Sequence, residues 1–185
     1  VLGLAALGIA HSVMVAVMVM TPLHLHDGGA TLQVVGIVIS VHIAGMYALS
    51  PVMGLVADRF GRRAGIWLGV AVLAVACLGA ATSPPTAHAR LGVALTLLGL
   101  GWSACVVAGS TLLSESVPPD VRTSVQGMSD LVMGIVAASA GVFAGPVLER
   151  FGFGALGLGA AGLLVPLVAL LARPVGRYEP VRGAG

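Results

Sequence analysis

The sequence predicts an all-α membrane protein of six transmembrane helices, built as two three-helix units of opposite orientation. Three observations carry that prediction. Of 185 residues, 58% are hydrophobic and 9% are charged, which leaves more apolar surface than a soluble domain of this length can bury. Six apolar stretches, each close to the ~20 residues that cross a hydrocarbon core of ~30 Å, are separated by short polar punctuation. A polar block also returns 91 residues further on. Six spans use most of the chain and leave no room for a soluble domain. The net charge of +2 is too small to point to nucleic acid.

The first stretch, 2–22, is too long and too closely followed by similar ones to be a cleaved signal, and a chain that starts at Val1 reads as truncated. It sets His11, Met14, Met18 and Thr21 on one helical face, and His26, Asp27, Gly28 and Gly29 close it. An intramembrane histidine is a candidate functional group, able to titrate or to hold a polar solute; the alternative is a histidine satisfied across a helix interface. His24, His26 and Asp27 lack a fourth metal ligand, so no metal is predicted, and nothing implies a cofactor. The second stretch, 33–56, sets Ser40, Tyr47 and Ser50 on one face and His42 on the opposite one.

Asp58 to Arg63 lead into the third stretch, 64–82, which Ser83, Pro84, Pro85 and Thr86 end. The fourth, 91–113, carries Trp102 and Ser103, and Ser116 to Arg122 separate it from the fifth, 128–148. There Gly134, Ala138, Gly141 and Gly145 form a small-residue stripe that predicts tight helix packing, and Asp130 reads as a charge favoured near a helix N-terminus. The sixth stretch, 153–172, precedes an arginine-containing tail, 173–185. Cys77 and Cys105 have no ligand spacing and read as buried thiols.

Orientation follows from the basic residues, all nine of which are arginine, a composition that hints at a GC-rich bacterial coding sequence. Arg59, Arg62, Arg63, Arg122, Arg173, Arg177 and Arg182 fall on one side and Arg90 and Arg150 on the other. The positive-inside bias puts the first side, with both ends of the segment, in the cytoplasm. Shifting the chain by 91 residues lays Gly-Leu-Val-Ala-Asp-Arg-Phe-Gly (54–61) over Gly-Pro-Val-Leu-Glu-Arg-Phe-Gly (145–152), and pairs His11 with Trp102 and Ser12 with Ser103. Units of roughly 1–90 and 91–175 with three helices each must then cross in opposite senses. Such inverted repeats mark secondary transporters, which bind solutes near the midplane.

Residues 54–63 match G-x-x-x-D-R-x-G-R-R at every defining position, and Glu115, Pro118 and Arg122 match E-x-x-P-x-x-x-R. In these two motifs the chain resembles the major facilitator superfamily. The likeness covers the whole chain as one six-helix half-domain, 1–185. Gly99 to Trp102 with Ala108 to Leu113 is similar to the tenth helix of bacterial members, and with the short tail this resembles a C-terminal half. Gly141, Gly145 and Pro146 fit the family's antiporter signature, but Glu149 and Arg150 depart from it.

The resemblance implies alternating-access transport of a small molecule across a bacterial plasma membrane, by efflux or proton coupling, with the other six-helix half as partner. It makes Gly54, Asp58, Arg59, Gly61, Arg62, Arg63, Glu115 and Arg122 a conformational latch. Physically, charges clustered at a helix end pin that end at the interface. Gly54 and Gly61 allow close approach and a turn, Asp58 suits the positive end of a neighbouring helix, and Glu115 is the partner within the chain for Arg59 or Arg62. His11, Met14, Met18, Ser40, Tyr47, Trp102 and Ser103 become candidates for the substrate cavity. Two rivals are an intramembrane serine protease, for which Ser110 has neither the following glycine nor a placed histidine, and a receptor or assembly subunit that moves no solute. No enzyme activity is predicted.

Overall fold

The computed structural model describes residues 1–173, so Arg177 and Arg182 of the predicted tail lie outside the described residues. The described elements are helical: α1 (Leu2–Met18), α2 (Thr21–Asp27), α3 (Leu32–Tyr47), α4 (Ser50–Phe60), α5 (Arg62–Ala81), α6 (His88–Glu115), α7 (Arg122–Gly162) and α8 (Val165–Ala172), with a 3-10 turn at Pro119–Val121. Five stretches are long and apolar enough to cross a membrane, Leu2–Asp27, Leu32–Phe60, Arg62–Ala81, His88–Glu115 and Pro119–Ala172.

The last stretch has 54 residues and would measure ~80 Å as one straight helix, far beyond a bilayer. It breaks at Gly152, whose φ of 79° and ψ of 172° lie outside helical space. Before the break α7 runs alongside α1 in the same direction, with Val132 and Val136 nearest Gly8, Gly141 nearest Val15 and Gly145 nearest Met20. After it the chain turns back. Phe153 stacks on His24, Gly157 presses against Ala81 at the end of α5, and the Leu171 carbonyl meets Arg63 at its start. Two antiparallel arms result, and the expected count of six spans rests on this reversal.

Three of the expected spans are bent. Pro22, Pro51 and Pro166 stand at the first positions of α2, α4 and α8. Proline has no N–H to give and its ring clashes with the carbonyl four residues back, so the helical ladder is interrupted just before each. Thr21 and Ser50 donate their hydroxyls to the carbonyls of Val17 (2.9 Å) and Tyr47 (2.8 Å) at two of these bends.

Helix α6 has no proline, and its 28 residues run ~42 Å through the middle of the bundle, touching α1, α3, α4, α5 and α7. Three glycines let neighbours approach it. A methyl group at Gly99 would lie 2.5 Å from the His42 carbonyl of α3, one at Gly101 2.8 Å from Leu73 of α5, and one at Gly109 3.2 Å from the Gly3 carbonyl of α1. The glycine stripe predicted on the fifth span does not pack this way. Gly134 meets nothing within 4 Å, Gly141 and Gly145 meet Val15 and Met20 only at ordinary contact distance, and Ala138 is exposed. The difference lies in the neighbour: α1 presents branched or long side chains at this level, whereas α3 presents bare backbone to α6.

A second correction concerns Asp130. Helix α7 begins at Arg122, because Pro118 and Pro119 fix a turn that feeds directly into it. Asp130 therefore lies in the third turn, exposed, beyond the reach of the helix N-terminus.

The termini of the elements sort into two ends. Asp58, Arg62 and Glu115 meet at one end, with Leu171 and Arg173 beside Arg63. His24 meets Ser83 and Phe153 at the other, where Arg90 bonds to Thr82.

Candidate functional site

Two groups of side chains stand out, one at an end of the bundle and one within its span. The first is built on Gly61. Its φ of 91° is left-handed backbone that a Cβ strongly disfavours, and it turns the chain between α4 and α5 without a loop. Arg62, the first residue of α5, thereby folds back onto Asp58 one turn earlier and makes an ion pair with it. The same guanidinium reaches across to the end of α6, with Nη2 2.8 Å from Glu115 Oε1 and Nε 3.3 Å from the same oxygen. One arginine fork thus joins three helix ends, using the planar donor geometry that lysine lacks.

Arg63 does something different from the sequence expectation. Its Nη2 donates to the carbonyl oxygens of Leu171 and, at 2.8 Å, of Arg173. Those carbonyls end α8 and have no helical N–H of their own, so Arg63 caps that helix and meets its negative dipole end. Arg59 lies 5.9 Å above the ring of its neighbour Phe60, and neither Arg59 nor Arg122 forms an ion pair among the described residues. Gly54 faces open space, with nothing within 4 Å of where a Cβ would sit, so no close approach occurs there among the described residues. Asp58 pairs with Arg62 rather than with a helix N-terminus.

The second group lies on α6, where α1 and α3 each pack against it. Trp102 Nε1 donates to His11 Nδ1 at 2.9 Å, and the Tyr47 ring stands edge-on to Trp102 with centroids 5.9 Å apart. Indole N–H only donates, so Nδ1 of His11 must be bare and the neutral ring carries its proton on Nε2. Trp102 is 8% exposed and Tyr47 60%, which makes the cluster a wall with a buried side and an open side.

Of the seven side chains expected to line a cavity, the structure brings together His11, Tyr47 and Trp102. Met14 is packed in the core, and Met18 is half-buried against it; Thr21, on the same predicted face, is also buried. An amphipathic reading cannot see that α1 is covered on several sides by α6 and α7. Ser103 is buried with its hydroxyl unpartnered, and Ser40 is exposed on α3. A separate cavity of about 400 Å³ lies between α1 and both arms of α7, lined by Ser12, Ser139 and apolar side chains such as Phe143 and Leu156.

His42, set by the sequence on the face opposite Ser40, is deeply buried, at 1% exposure. Its Nδ1 donates to the Leu95 carbonyl of α6 at 2.7 Å, and its Nε2 has no partner. The signal for it was its spacing to Gly45 and Met46, which share its buried face of α3. His24 is taken up by Phe153, with rings stacked 4.0 Å apart, and by the Ser83 carbonyl. Among the described residues no three His, Cys, Asp or Glu side chains are grouped to hold a metal.

The chain is 37% identical over 163 residues to the uncharacterized MFS-type transporter YddS and 35% over 171 residues to YdeG, both of Bacillus subtilis. It is 27% identical over 175 residues to the riboflavin transporter RfnT of Brucella anthropi. These matches take in 86%, 91% and 95% of this chain but 37%, 40% and 42% of the relatives, so the chain spans about two fifths of their length. The Major Facilitator Superfamily matches residues 2–184. An all-helical bundle of apolar spans, matched by this family over nearly its whole length, belongs to the Major Facilitator Superfamily of multi-pass membrane transporters.

Proposed function

We propose that the chain is one six-helix half of a bacterial plasma-membrane carrier, the C-terminal one, which moves a small molecule by alternating access together with a second six-helix half. The observation that carries this reading is the joint of Asp58, Arg62 and Glu115, backed by Arg63 on α8. It ties the ends of α4, α5, α6 and α8 into one unit on a single side, as a half that rocks as a rigid body requires. Gly61 sets the turn, and Gly54, Arg59 and Arg122 border the joint and are assigned to contact with the other half.

That end is the cytoplasmic one in this reading. Arg59, Arg62, Arg63, Arg122 and Arg173 gather there against Arg90 and Arg150 opposite, as the positive-inside bias favours. The inverted repeat is supported by pairs 91 residues apart. Gly61 and Gly152 share a left-handed φ, Gly8 faces Val136 as Gly99 faces Gly45, and His11 bonds to Trp102. His11, Tyr47 and Trp102 then form this half's share of the solute path, offering an aromatic edge and one N–H. A planar heterocycle suits such a wall, and one relative is named a riboflavin transporter.

The test is uptake of radiolabelled riboflavin, then of a panel of aromatic solutes, into vesicles holding the complete protein. A solute should accumulate with the wild type and at least several-fold more slowly with Asp58→Asn. Binding without flux of any solute supports the receptor reading instead, and unchanged flux in Asp58→Asn removes the latch.

A further inference from the structure

The hydrogen bond between His11 and Trp102 has a property that neither residue has alone. It exists only while His11 Nδ1 keeps its lone pair, because the indole N–H can do nothing but donate. The two residues are 91 positions apart, which is the shift of the sequence repeat, so equivalent positions of the two units touch here. Side chains related by a two-fold operation meet only at its axis, and the bond therefore spans the junction of the units. His11 Nε2 has no partner among the described residues and is not among the buried unpartnered atoms, so it opens onto accessible space.

We propose that His11 is a proton-binding site and that Trp102 reads its occupancy. A proton from the aqueous path adds to Nδ1 of neutral His11 and gives the imidazolium, with both ring nitrogens now donors. The indole N–H then faces another N–H, the bond is lost, and Trp102 with Tyr47 against it must reorient. No covalent bond breaks and no second reactant is needed. Proton uptake thereby loosens α1 from α6 at this level of the bundle.

The charged and titratable groups around His11 leave it this role. Helix α1 carries no other, and it packs on α2, α5, α6, α7 and α8. On α2, His24, His26 and Asp27 lie at the far end, and on α8 there are none. On α5, Arg62 and Arg63 lie at the start, and Cys77 is buried. On α6, His88, Arg90 and Glu115 lie toward the ends, and Cys105 turns its sulfur to the Ile66 carbonyl. On α7, Arg122 and Asp130 lie toward one end and Glu149 and Arg150 beside the Gly152 break. Tyr47 of α3 reaches Trp102. No carboxylate among the described residues faces His11, so a proton arriving at this depth has the imidazole as its acceptor.

The test uses the complete protein in nanodiscs with no solute added, labelled with ¹⁵N-histidine and 5-fluorotryptophan. Signals are assigned by their loss in His11→Gln and Trp102→Phe. At high pH the His11 nitrogens should show the Nε2–H form, and on acidification they should become equivalent while the Trp102 fluorine signal moves with the same midpoint. In His11→Gln, whose amide oxygen still accepts the indole N–H, the Trp102 step should vanish. In Trp102→Phe the His11 step should change its midpoint, because the bond coupled to it is gone. An Nδ1–H form at high pH, a Trp102 step that persists in His11→Gln, or no His11 step before the protein unfolds overturns the proposal. None of these readings depends on flux, so they stand apart from the transport assay.

Discussion

Arg62 and Arg63 are adjacent and do unrelated work. Arg62 bridges two carboxylates that lie in water, so its value is in holding helix ends together in one register rather than in bulk stability. Replacing it by lysine keeps the charge but loses the fork, and Arg62→Lys should slow transport nearly as much as Arg62→Ala when vesicle uptake is compared. The exchange Arg62→Glu with Glu115→Arg should recover part of the rate lost by either change alone, and failure to recover assigns the loss to Asp58 instead. This pairing was legible in the sequence, since the motif spacing and the position of Glu115 at a helix end left few partners. The cap made by Arg63 was not, because a bond to backbone carbonyls 108 residues away leaves no trace in residue type. The bond of His42 was hidden for a related reason: its partner is again a carbonyl, that of Leu95.

At the level of elements, glycine separates two jobs. Gly61 and Gly152 set φ, and alanine at either should cost about 1–3 kcal/mol of strain, read as a lowered melting temperature in detergent. Gly99 and Gly101 set distance, so Gly99→Val should force α3 from α6 and cost about 1–3 kcal/mol by overpacking. Gly134→Val on α7 meets open space and should leave the melting temperature unchanged. Hydropathy located the spans to within a few residues, because lipid demands length. It could not say which small-residue face is used, as that depends on what the neighbouring helix presents. The bends at Pro22, Pro51 and Pro166 stand in the sequence as prolines, but Pro51 and Pro166 lie inside apolar runs that read as unbroken and Pro22 lies at the end of one.

For the whole molecule, the sorting of arginines to the two ends makes orientation measurable. Cys77 and Cys105 are buried, so neither should react with a membrane-impermeant maleimide. Ser116→Cys should react only from the cytoplasmic side and Thr86→Cys only from outside, and the opposite pattern would invert the assigned topology. The cap on α8 also bears on biosynthesis. Arg63 leaves the ribosome 108 residues before Leu171, which at ordinary elongation speeds is an interval of about 5–20 s. Until then its guanidinium has no carbonyls to hold, and α5 sits in the membrane with a charge at its start waiting for a helix not yet made. A span made 108 residues later is therefore the one that locks the motif loop, and an intermediate inserted without it leaves that loop unsecured.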